Sequence, residues 1–387
     1  MRELIALALP PGMPFVEQMQ RAWDDGDAVL PIDPRLPLPA RDRLLRSLRP
    51  TVMIDESGTR TACADGVAVR DGDAFVIATS GSTGDPKGVI HTHASARASA
   101  LATAAALEVD PATDGWLCCL PVSHVAGLSV ILRALMSGVR LEVLPAFDAA
   151  IVQAAARERG ATLTTLVPTA LARVDPSLFR RIVVGGAAPP KHLPPNAVVS
   201  YGMTETGSAI TYDGLPLGDA ECRIVDGEIQ VRGSVLLRAY RGGGYPLEGE
   251  DPKDAHGWFA TDDAGELDAA GRLLVHGRRG DLIVTGGEKV WPVEVERVLA
   301  LHPAVAEVAV IGRADAEWGH AVTAVVVASD PAAPPRLDDL RAHVKAELPS
   351  YAAPRQLELV NALPRTLLGK IERRTVLAAP RPAVKSP

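Results

Sequence analysis

Apolar runs and amphipathic stretches alternate between residues 74 and 200 of the chain. Short apolar runs predict buried strands, whereas longer stretches with a helical period predict helices. The predicted strands are 74–78, 115–120, 139–144, 161–167, 181–184 and 197–200, and the predicted helices are 94–109, 127–137 and 147–159. Strands that alternate with helices indicate an α/β fold with mostly parallel sheets that helices cover on both faces. In such sheets ligands bind at the carboxyl ends of the strands.

The pattern changes near residue 220, where the apolar runs shorten and turn residues become frequent. Asp226-Gly227 is a hairpin signal between two short strands, so about 215–279 is predicted to form a small β-rich subdomain. Farther on, the predicted helices are 292–301 and 337–348, and the predicted strands are 305–311, 321–328 and 357–360. We therefore predict a large N-terminal domain, residues 1–279, and a small α+β C-terminal domain, residues 280–387.

Composition places the chain among ordinary globular proteins. Its 387 residues are 47% hydrophobic and 22% charged, with a net charge of −7 and no basic tract, which argues against a nucleic-acid partner. No apolar stretch reaches the length of a membrane span, and the N-terminus lacks a credible signal-peptide cleavage region. The four cysteines have no metal-ligand spacing and are predicted to be free thiols. These features predict a cytoplasmic enzyme.

The apolar run 74–78 leads into a glycine-rich turn, Thr79-Ser80-Gly81-Ser82-Thr83-Gly84-Asp85-Pro86-Lys87-Gly88. Glycines let backbone N–H groups face one point, and the hydroxyls and the Lys87 ammonium add donors and positive charge, which suits a polyphosphate. The turn is not a Walker loop, because Pro86 precedes Lys87 and Gly88 follows it. It also lacks the Gly-x-Gly-x-x-Gly fingerprint, because Gly81 and Gly84 are three residues apart. A flexible surface loop is the alternative interpretation.

This turn resembles the phosphate loop of the adenylate-forming superfamily, which includes acyl- and aryl-CoA ligases, luciferases and peptide-synthetase adenylation domains. Further motifs follow in the superfamily's order, and the resemblance covers roughly residues 70–375. They are Gly185-Gly186-Ala187-Ala188-Pro189, Ser200-Tyr201-Gly202-Met203-Thr204-Glu205-Thr206, Gly257-Trp258-Phe259-Ala260-Thr261-Asp262-Asp263, Gly277-Arg278, Gly280 to Glu296, and Leu363 to Arg373 around Lys370. The resemblance implies that ATP activates a carboxylate as an acyl-adenylate, after which the acyl group passes to a thiol.

Roles for individual residues also come from the resemblance. Lys370 is implied as a mobile catalytic lysine that bridges the attacking carboxylate and the α-phosphate, with Thr204, Glu205 and His124 as the other catalytic candidates. Glu205 and Thr83 are implied to hold Mg²⁺. The implied nucleotide-binding residues are Thr79, Ser80, Gly81, Ser82, Thr83, Gly84, Lys87, Gly185, Gly186, Ala187, Ser200, Tyr201, Gly202, Met203, Thr204, Asp263, Arg278 and Lys370.

Three points qualify the match to the superfamily. Asp262 stands where the superfamily has Gly, which leaves open whether it or Asp263 contacts the ribose hydroxyls. Only 78 residues precede the phosphate loop, so a trimmed first subdomain is expected. The C-terminal domain is expected to be mobile, with Gly280 or Asp281 absorbing the rotation of the backbone.

The acid and the acceptor are less constrained. The segment around His124 contains no acid that could pair a substrate ammonium, so a carboxylic acid without an amino group is expected, with His124 and Ser208 as acyl-pocket candidates. No carrier attachment signature follows Lys370, which favours free coenzyme A as the acceptor. Within the superfamily the chain most resembles the o-succinylbenzoate–CoA ligases of menaquinone biosynthesis. The alternatives are a ligase for another aryl or short acyl acid, or a non-catalytic nucleotide-binding homologue. The oligomeric state is left open, a homo-oligomer included.

Overall fold

The structure is a computed structural model that describes residues 2–79, 85–186, 189–190, 192–365 and 371–379. These residues form a mixed α/β protein, as predicted. By its contacts the chain divides into a first unit, residues 1–223, 230–260 and 268–273, and a second unit, residues 224–229, 261–267 and 274–387. This division lies close to the predicted domain boundary without testing it, so the boundary at 279–281 stays a prediction.

Strands and helices follow one another throughout the described chain. The strands are β1 (Leu4–Leu7), β2 (Ala28–Pro31), β3 (Val52–Ile54), β4 (Arg60–Ala62), β5 (Asp73–Thr79), β6 (Lys87–Thr92), β7 (Gly115–Cys118), β8 (Arg140–Val143), β9 (Leu163–Leu166), β10 (Arg181–Val184), β11 (Ala197–Met203), β12 (Ser208–Tyr212), β13 (Leu215–Pro216), β14 (Glu221–Val225), β15 (Glu228–Arg232), β16 (Ala239–Gly242), β17 (Tyr245–Glu250), β18 (Phe259–Leu267), β19 (Leu273–Arg278), β20 (Ile283–Thr285), β21 (Glu288–Val290), β22 (Val305–Asp315), β23 (Gly319–Ala328) and β24 (Gln356–Leu359). The helices are α1 (Met13–Asp24), α2 (Leu38–Leu48), α3 (His93–Ala106), α4 (Val125–Ser137), α5 (Ala149–Glu158), α6 (Pro168–Leu171), α7 (Pro292–Leu299), α8 (Leu337–Lys345) and α9 (Arg373–Ala378).

The first sheet of the first unit has eight strands in the order β17-β16-β6-β5-β2-β1-β3-β4. Its central strands β5, β2, β1 and β3 are parallel, whereas the strands on both sides pair antiparallel. The short N-terminal segment contributes β1, whose four residues are buried between two parallel neighbours. The first sixty residues are therefore part of the central sheet, although only their weak strand-loop-helix pattern was apparent from the sequence.

The second sheet of the first unit has the order β13-β12-β11-β10-β9-β7-β8, and its strands from β11 to β8 are parallel. Successive residues of β7 enter different cores: Trp116 lies in a cluster with residues of α3 and α4, and Leu117 in a cluster with residues of α5. Because side chains alternate across a strand, both faces of the sheet are buried under helices. This confirms the predicted layered α/β arrangement.

The β-rich region begins with the hairpin of β14 and β15. Asp226 and Gly227 both have positive φ, 50° and 75°, as a two-residue type I′ turn requires. The strands β14, β15, β18 and β19 form a four-stranded sheet in that order, and the division between the two units falls within these strands.

The second unit contains a sheet in which β22 and β23 pair antiparallel along their whole length, from Val305 opposite Ala328 to Asp315 opposite Gly319. Both strands are longer than predicted because this pairing continues to the tight turn between them. β24 lies parallel to β23, and β20 and β21 continue the sheet on the other side. Residues of α7 and α8 share one apolar cluster with the sheet, and Val376 of α9 belongs to another.

The burial of β1 leads to a stability prediction. Leu7 is completely buried, so Leu7→Ala should leave a cavity and lower the free energy of unfolding by about 2–5 kcal/mol. Leu38→Ala is the matched control, because Leu38 is 62% exposed and loses little on truncation. Equilibrium urea unfolding followed by circular dichroism measures both variants. Equal losses would show that β1 is not part of the central core.

Candidate active site

The predicted phosphate loop joins two antiparallel strands. β5 and β6 pair so that Thr79 lies opposite Lys87 and Ala78 opposite Gly88. A Cβ atom at Gly88 would lie 2.6 Å from Cγ1 of Val76, so only glycine fits at this position. The hairpin therefore fixes Thr79 and Lys87 side by side at the base of the loop.

Seven of the predicted site residues lie outside the described residues, and their roles stay predictions. They are Ser80, Gly81, Ser82, Thr83, Gly84, Ala187 and Lys370.

Ser47 forms hydrogen bonds both to the residue before β6 and to the glycine-rich turn between β16 and β17. Its hydroxyl donates a hydrogen bond to the carbonyl oxygen of Pro86 over 2.6 Å and accepts one from the N–H of Gly243 over 2.9 Å. A Cβ at Gly243, whose φ is +59°, would lie 2.9 Å from Cβ of Lys87. The absence of a side chain at Gly243 thus lets this turn lie directly against Lys87.

Lys87 contacts two side chains at the entrance of β6. Its Nζ lies 3.4 Å from Oε1 of Glu205 and 3.6 Å from the centre of the Tyr240 ring. The Tyr240 hydroxyl donates a hydrogen bond to the same Oε1 atom over 2.8 Å. The side chains of Lys87 and Glu205 are only 20% and 13% exposed, so their charges interact through less water than a surface pair would. The structure thus brings together two residues that the sequence predicted for phosphate and metal binding.

The segment from Ser200 to Thr206 is partly strand. β11 was predicted to end at residue 200, but it continues to Met203 because its last residues pair antiparallel with β12. Gly202 has no room for a side chain, since a Cβ would lie 2.0 Å from the carbonyl oxygen of Ser208. Thr204, Glu205 and Thr206 then form a short 3-10 turn. The predicted phosphate and metal ligands therefore follow directly on a rigid strand.

His91 supports this turn and was missed by the sequence analysis. Its Nε2 lies 2.8 Å from the carbonyl oxygen of Thr204, and its ring stacks on Phe75 at 5.0 Å between centres. Burial lowers the pKa of His91 to about 4, so the ring is neutral near pH 7. Because a carbonyl only accepts hydrogen bonds, the proton is on Nε2, and Nδ1 faces the Ser95 hydroxyl at 3.2 Å. A histidine within the apolar run beside the phosphate loop was the available signal.

The ends of β10 and β11 lie close together. The Ser200 hydroxyl donates a hydrogen bond to the carbonyl oxygen of Val184 over 3.0 Å, and a Cβ at Gly185 would meet that hydroxyl at 2.2 Å. Gly186 has a φ of +82°, which glycine adopts without strain. Gly185 is therefore required by the contact with Ser200 and Gly186 by its backbone conformation, and the nucleotide-binding role of both stays a prediction.

Ser208, an acyl-pocket candidate, accepts a hydrogen bond from a buried arginine that the sequence analysis also missed. Arg133 of α4 is 2% exposed and donates to the hydroxyls of Ser208 and, over 3.0 Å, Thr165. Its guanidinium lies 5.4 Å from the ring of Trp116, and within the described parts of the chain neither Nε of Arg133 nor the indole N–H of Trp116 has a hydrogen-bond partner. No carboxylate among the described residues pairs with Arg133. An arginine within the apolar sequence of α4 was the signal for this site.

His124 lies at the N-cap of the same helix, α4. Its backbone N–H donates to the carbonyl oxygen of Pro121 over 3.2 Å, and its carbonyl accepts the first helical hydrogen bond, from Leu128, over 2.9 Å. The helix that carries Arg133 therefore begins at Val125, two residues before the predicted start at residue 127. The acyl-pocket role of His124 stays a prediction.

In the second unit, Asp263 and Arg278 form an ion pair. Nε of Arg278 lies 2.9 Å from Oδ1 of Asp263, and the guanidinium also donates to the carbonyl oxygen of Thr261 over 2.8 Å. Asp263 is buried, whereas Asp262 is exposed and has a φ of +61°. Glycine adopts this left-handed conformation freely and aspartate tolerates it better than most residues, which explains why Asp262 can replace Gly. Only Asp263 has the side-chain environment of a fixed ligand.

The residues on either side of Lys370 are fixed within the second unit. Arg365 and Ile371 form an isolated antiparallel bridge, and Arg365 pairs with Glu307 over 3.0 Å. Arg373 pairs with Glu296, and it lies 3.5 Å from Asp281, the predicted hinge residue.

Two families of known sequences match the chain. The AMP-binding enzyme family matches residues 64–240, and the AMP-binding enzyme C-terminal domain matches residues 294–370. No helix in the described part of the chain has the length and apolar character needed to cross a membrane.

Individual relatives are similar over most of the chain. A probable 2-succinylbenzoate–CoA ligase from Mycobacterium tuberculosis is 37% identical over 87% of this chain and 93% of its own length. A 2-succinylbenzoate–CoA ligase from Bacillus cereus is 34% identical over 77% of this chain and 68% of its own length. Among solved structures, the o-succinylbenzoate CoA synthetase of Bacillus subtilis in complex with the acyl-adenylate intermediate OSB-AMP has a TM-score of 0.85 and 28% identity. The match covers 98% of this chain and 89% of that chain.

The buried His91 generates a pH prediction. Its folded pKa of about 4 lies below the ordinary value of 6.5, so its contribution to stability is present above pH 6.5 and is lost as the pH falls towards 4. Between pH 7.5 and pH 5 the wild type should therefore lose about 2 kcal/mol more unfolding free energy than His91→Gln, which has no titrating ring. Urea unfolding at both pH values measures the difference. Parallel pH profiles would contradict the assignment of a neutral, buried ring.

Proposed function

The chain belongs to the AMP-binding enzyme family, and on that premise we propose that it is an ATP-dependent acid–CoA ligase. In the first half-reaction a substrate carboxylate oxygen attacks the α-phosphorus of ATP, which gives an acyl-adenylate and releases pyrophosphate. In the second, the thiolate of coenzyme A attacks the acyl carbon, which gives a thioester and releases AMP. The proposed acid is 2-succinylbenzoate, the substrate in the names of the relatives from Mycobacterium and Bacillus.

The buried Arg133 is the observation of this structure that best supports that acid. 2-Succinylbenzoate carries two carboxylates, one on the succinyl chain and one on the ring, and in the proposed reaction the succinyl carboxylate is activated. The other remains charged and needs a cation when it leaves water. Arg133 is a buried cation with no carboxylate partner among the described residues, and its neighbours Ser208 and Thr165 supply hydroxyls. We propose that it binds the ring carboxylate, and that His124 lies at the acyl pocket.

The first half-reaction is assigned to the residues of the superfamily motifs. Lys87 and the loop hydroxyls of Ser82 and Thr83 hold the β- and γ-phosphates, and Thr204 donates to a phosphate oxygen. Gly185, Gly186 and Tyr201 lie along the adenine. The buried carboxylate of Asp263, held by Arg278, accepts hydrogen bonds from the ribose hydroxyls. Lys370 stabilises the negative charge that develops as the carboxylate attacks the α-phosphorus.

The chemistry of the site fits Mg²⁺ as a companion of ATP. Mg²⁺ prefers oxygen ligands and is bound through one or two carboxylates together with substrate phosphates and water. No cluster of three or more metal-ligating side chains occurs among the described residues. Glu205 supplies the carboxylate, and Thr83 is the second proposed ligand. When bound, the ion neutralises phosphate charge.

Coenzyme A is the proposed acceptor, with a rotation of the backbone at Gly280 or Asp281 that withdraws Lys370 between the two half-reactions. A Cβ at Gly280 would meet no atom of the described residues within 4 Å, so neighbouring side chains do not crowd the backbone at this position. The free cysteines Cys63, Cys118, Cys119 and Cys222 agree with a reducing, cytoplasmic setting. A homo-oligomer stays open. A ligase for another acid is the second candidate, and the contact of Lys87 with Glu205 argues against a non-catalytic homologue.

The role of Arg133 is tested with two acids. Arg133→Met should lower kcat/KM for 2-succinylbenzoate about 10- to 100-fold, because a charge-assisted hydrogen bond is worth about 1.5–3 kcal/mol. Activity with 4-oxo-4-phenylbutanoate, which lacks the ring carboxylate, should change less than about threefold, since no ring carboxylate is there to bind. Pyrophosphate release measures both, with Arg140→Met, at an exposed arginine, as the control. Equal losses for the two acids would contradict the assignment.

The division of labour is tested at Lys370. Lys370→Ala should abolish pyrophosphate release from ATP and acid, because the charge that stabilises adenylation is gone. Formation of thioester from supplied 2-succinylbenzoyl-AMP and coenzyme A should stay near the wild-type rate. Lys345→Ala, at an exposed lysine of α8, is the control for the loss of a positive charge in the same unit. A similar loss of both half-reactions would count against the proposed role.

A further inference from the structure

Two contacts converge on Tyr240, an aromatic side chain that no sequence motif singled out. It lies on β16, which pairs antiparallel with β6 so that Tyr240 is opposite Val89. The side chain is buried, with its ring 3.6 Å from Nζ of Lys87 and its hydroxyl 2.8 Å from Oε1 of Glu205. We infer that Tyr240 is a positioning residue for adenylation, whose ring holds the phosphate-binding lysine and whose hydroxyl orients the metal-binding carboxylate. This inference rests on the proposed function.

The ring gives Lys87 a partner that does not compete with phosphate. An ammonium over an aromatic face is attracted by the ring's negative face, an effect of roughly 2- to 30-fold in an equilibrium constant. Glu205 also pairs with Lys87 when no nucleotide is bound. Once phosphates take its place beside Lys87, the carboxylate of Glu205 can bind a metal ion. The lysine can then exchange the carboxylate, 3.4 Å away, for a phosphate while staying over the ring of Tyr240. The ring thus keeps the ammonium in place before and after ATP binds.

The hydroxyl acts on the other partner. A carboxylate only accepts hydrogen bonds, so the Tyr240 hydroxyl is the donor to Oε1 of Glu205. This hydrogen bond restricts the rotation of the carboxylate. Within the described residues the second oxygen, Oε2, accepts no hydrogen bond, which leaves it available to a cation. The backbone carbonyl of Glu205 is fixed as well, since it accepts from the N–H of Leu237 over 2.8 Å. The carboxylate is therefore oriented before the metal arrives.

Two substitutions separate the two roles. Tyr240→Phe keeps the ring and removes the hydroxyl, and Tyr240→Leu removes both. The measurement is the dissociation constant of ATP by calorimetry, once in EDTA and once at saturating Mg²⁺, with no acid present. Tyr240→Phe should bind ATP in EDTA within about 2-fold of the wild type, but should lose about 5- to 10-fold of the gain in affinity that Mg²⁺ provides. Tyr240→Leu should in addition weaken binding in EDTA about 2- to 10-fold, because a Lys87 side chain that no ring holds loses its rotational freedom only when ATP binds.

Tyr245→Phe is the matched control, because its ring lies 4.9 Å from that of Tyr240, and it should behave as the wild type. The inference is overturned if Tyr240→Phe keeps the whole gain from Mg²⁺, if it weakens binding in EDTA as much as Tyr240→Leu, or if the wild type shows no gain. Should Tyr240→Leu fail to fold, Tyr240→Phe alone decides. These ATP-binding measurements contain no acid, so they do not depend on which acid is the substrate. A wrong substrate assignment would appear instead in a separate activity assay, in which 2-succinylbenzoate would give no thioester.

Discussion

Strand β6 is the element on which the candidate site depends, because it is paired on both edges. β5 lies on one side and β16 on the other, both antiparallel, and Gly88 leaves no space for a side chain between them. Lys87 is at one end of the strand and His91 near the other. The backbone pairing therefore sets the distance from Lys87 to Tyr240 and, through His91, the position of the turn at Thr204. Sites built on rigid strands are held more accurately than sites built on loops.

The charges of the first unit distinguish a ligand site from structural pairs. Two buried carboxylates are each paired with an arginine, Asp114 with Arg180 and Asp73 with Arg238. Arg241 pairs with no carboxylate of the described residues, but it donates to the backbone carbonyl of Val67, and burial lowers its pKa to about 10. Arg133 differs from all of these, because its neighbours are hydroxyls of side chains beside the predicted acyl segment. A buried cation with only neutral partners is costly, and it is the place of Arg133 beside the predicted acyl segment that makes it, rather than Arg241, the candidate for a ligand carboxylate.

The sequence predicts what depends on neighbours along the chain. The strand 181–184 was predicted with its observed bounds, the Asp226-Gly227 turn has the expected backbone, and the family and α/β class were confirmed. Elements that depend on distant pairing were not predicted. β6 begins within a proline–lysine–glycine sequence that is typical of a loop, and the end of β11 is strand only because β12 pairs with it. The partners of His91, Arg133 and Tyr240 are 113, 75 and 35 residues away, so their roles were not visible.

Two arginines, Arg313 and Arg373, fix the residues that follow Lys370, the proposed catalytic lysine. Arg313 of β22 forms a buried bidentate pair with Glu358 of β24. Its guanidinium also donates to carbonyl groups of α9, the helix that follows Lys370. Arg373 of α9 pairs with Glu296 of α7. Burial raises the pKa of Glu296, and the positive charge of Arg373 opposes this shift. These contacts tie the residues after Lys370 to β22, β24 and α7. All of these contacts lie within the second unit, so the stretch that follows Lys370 is held there by charge pairs as well as by apolar packing.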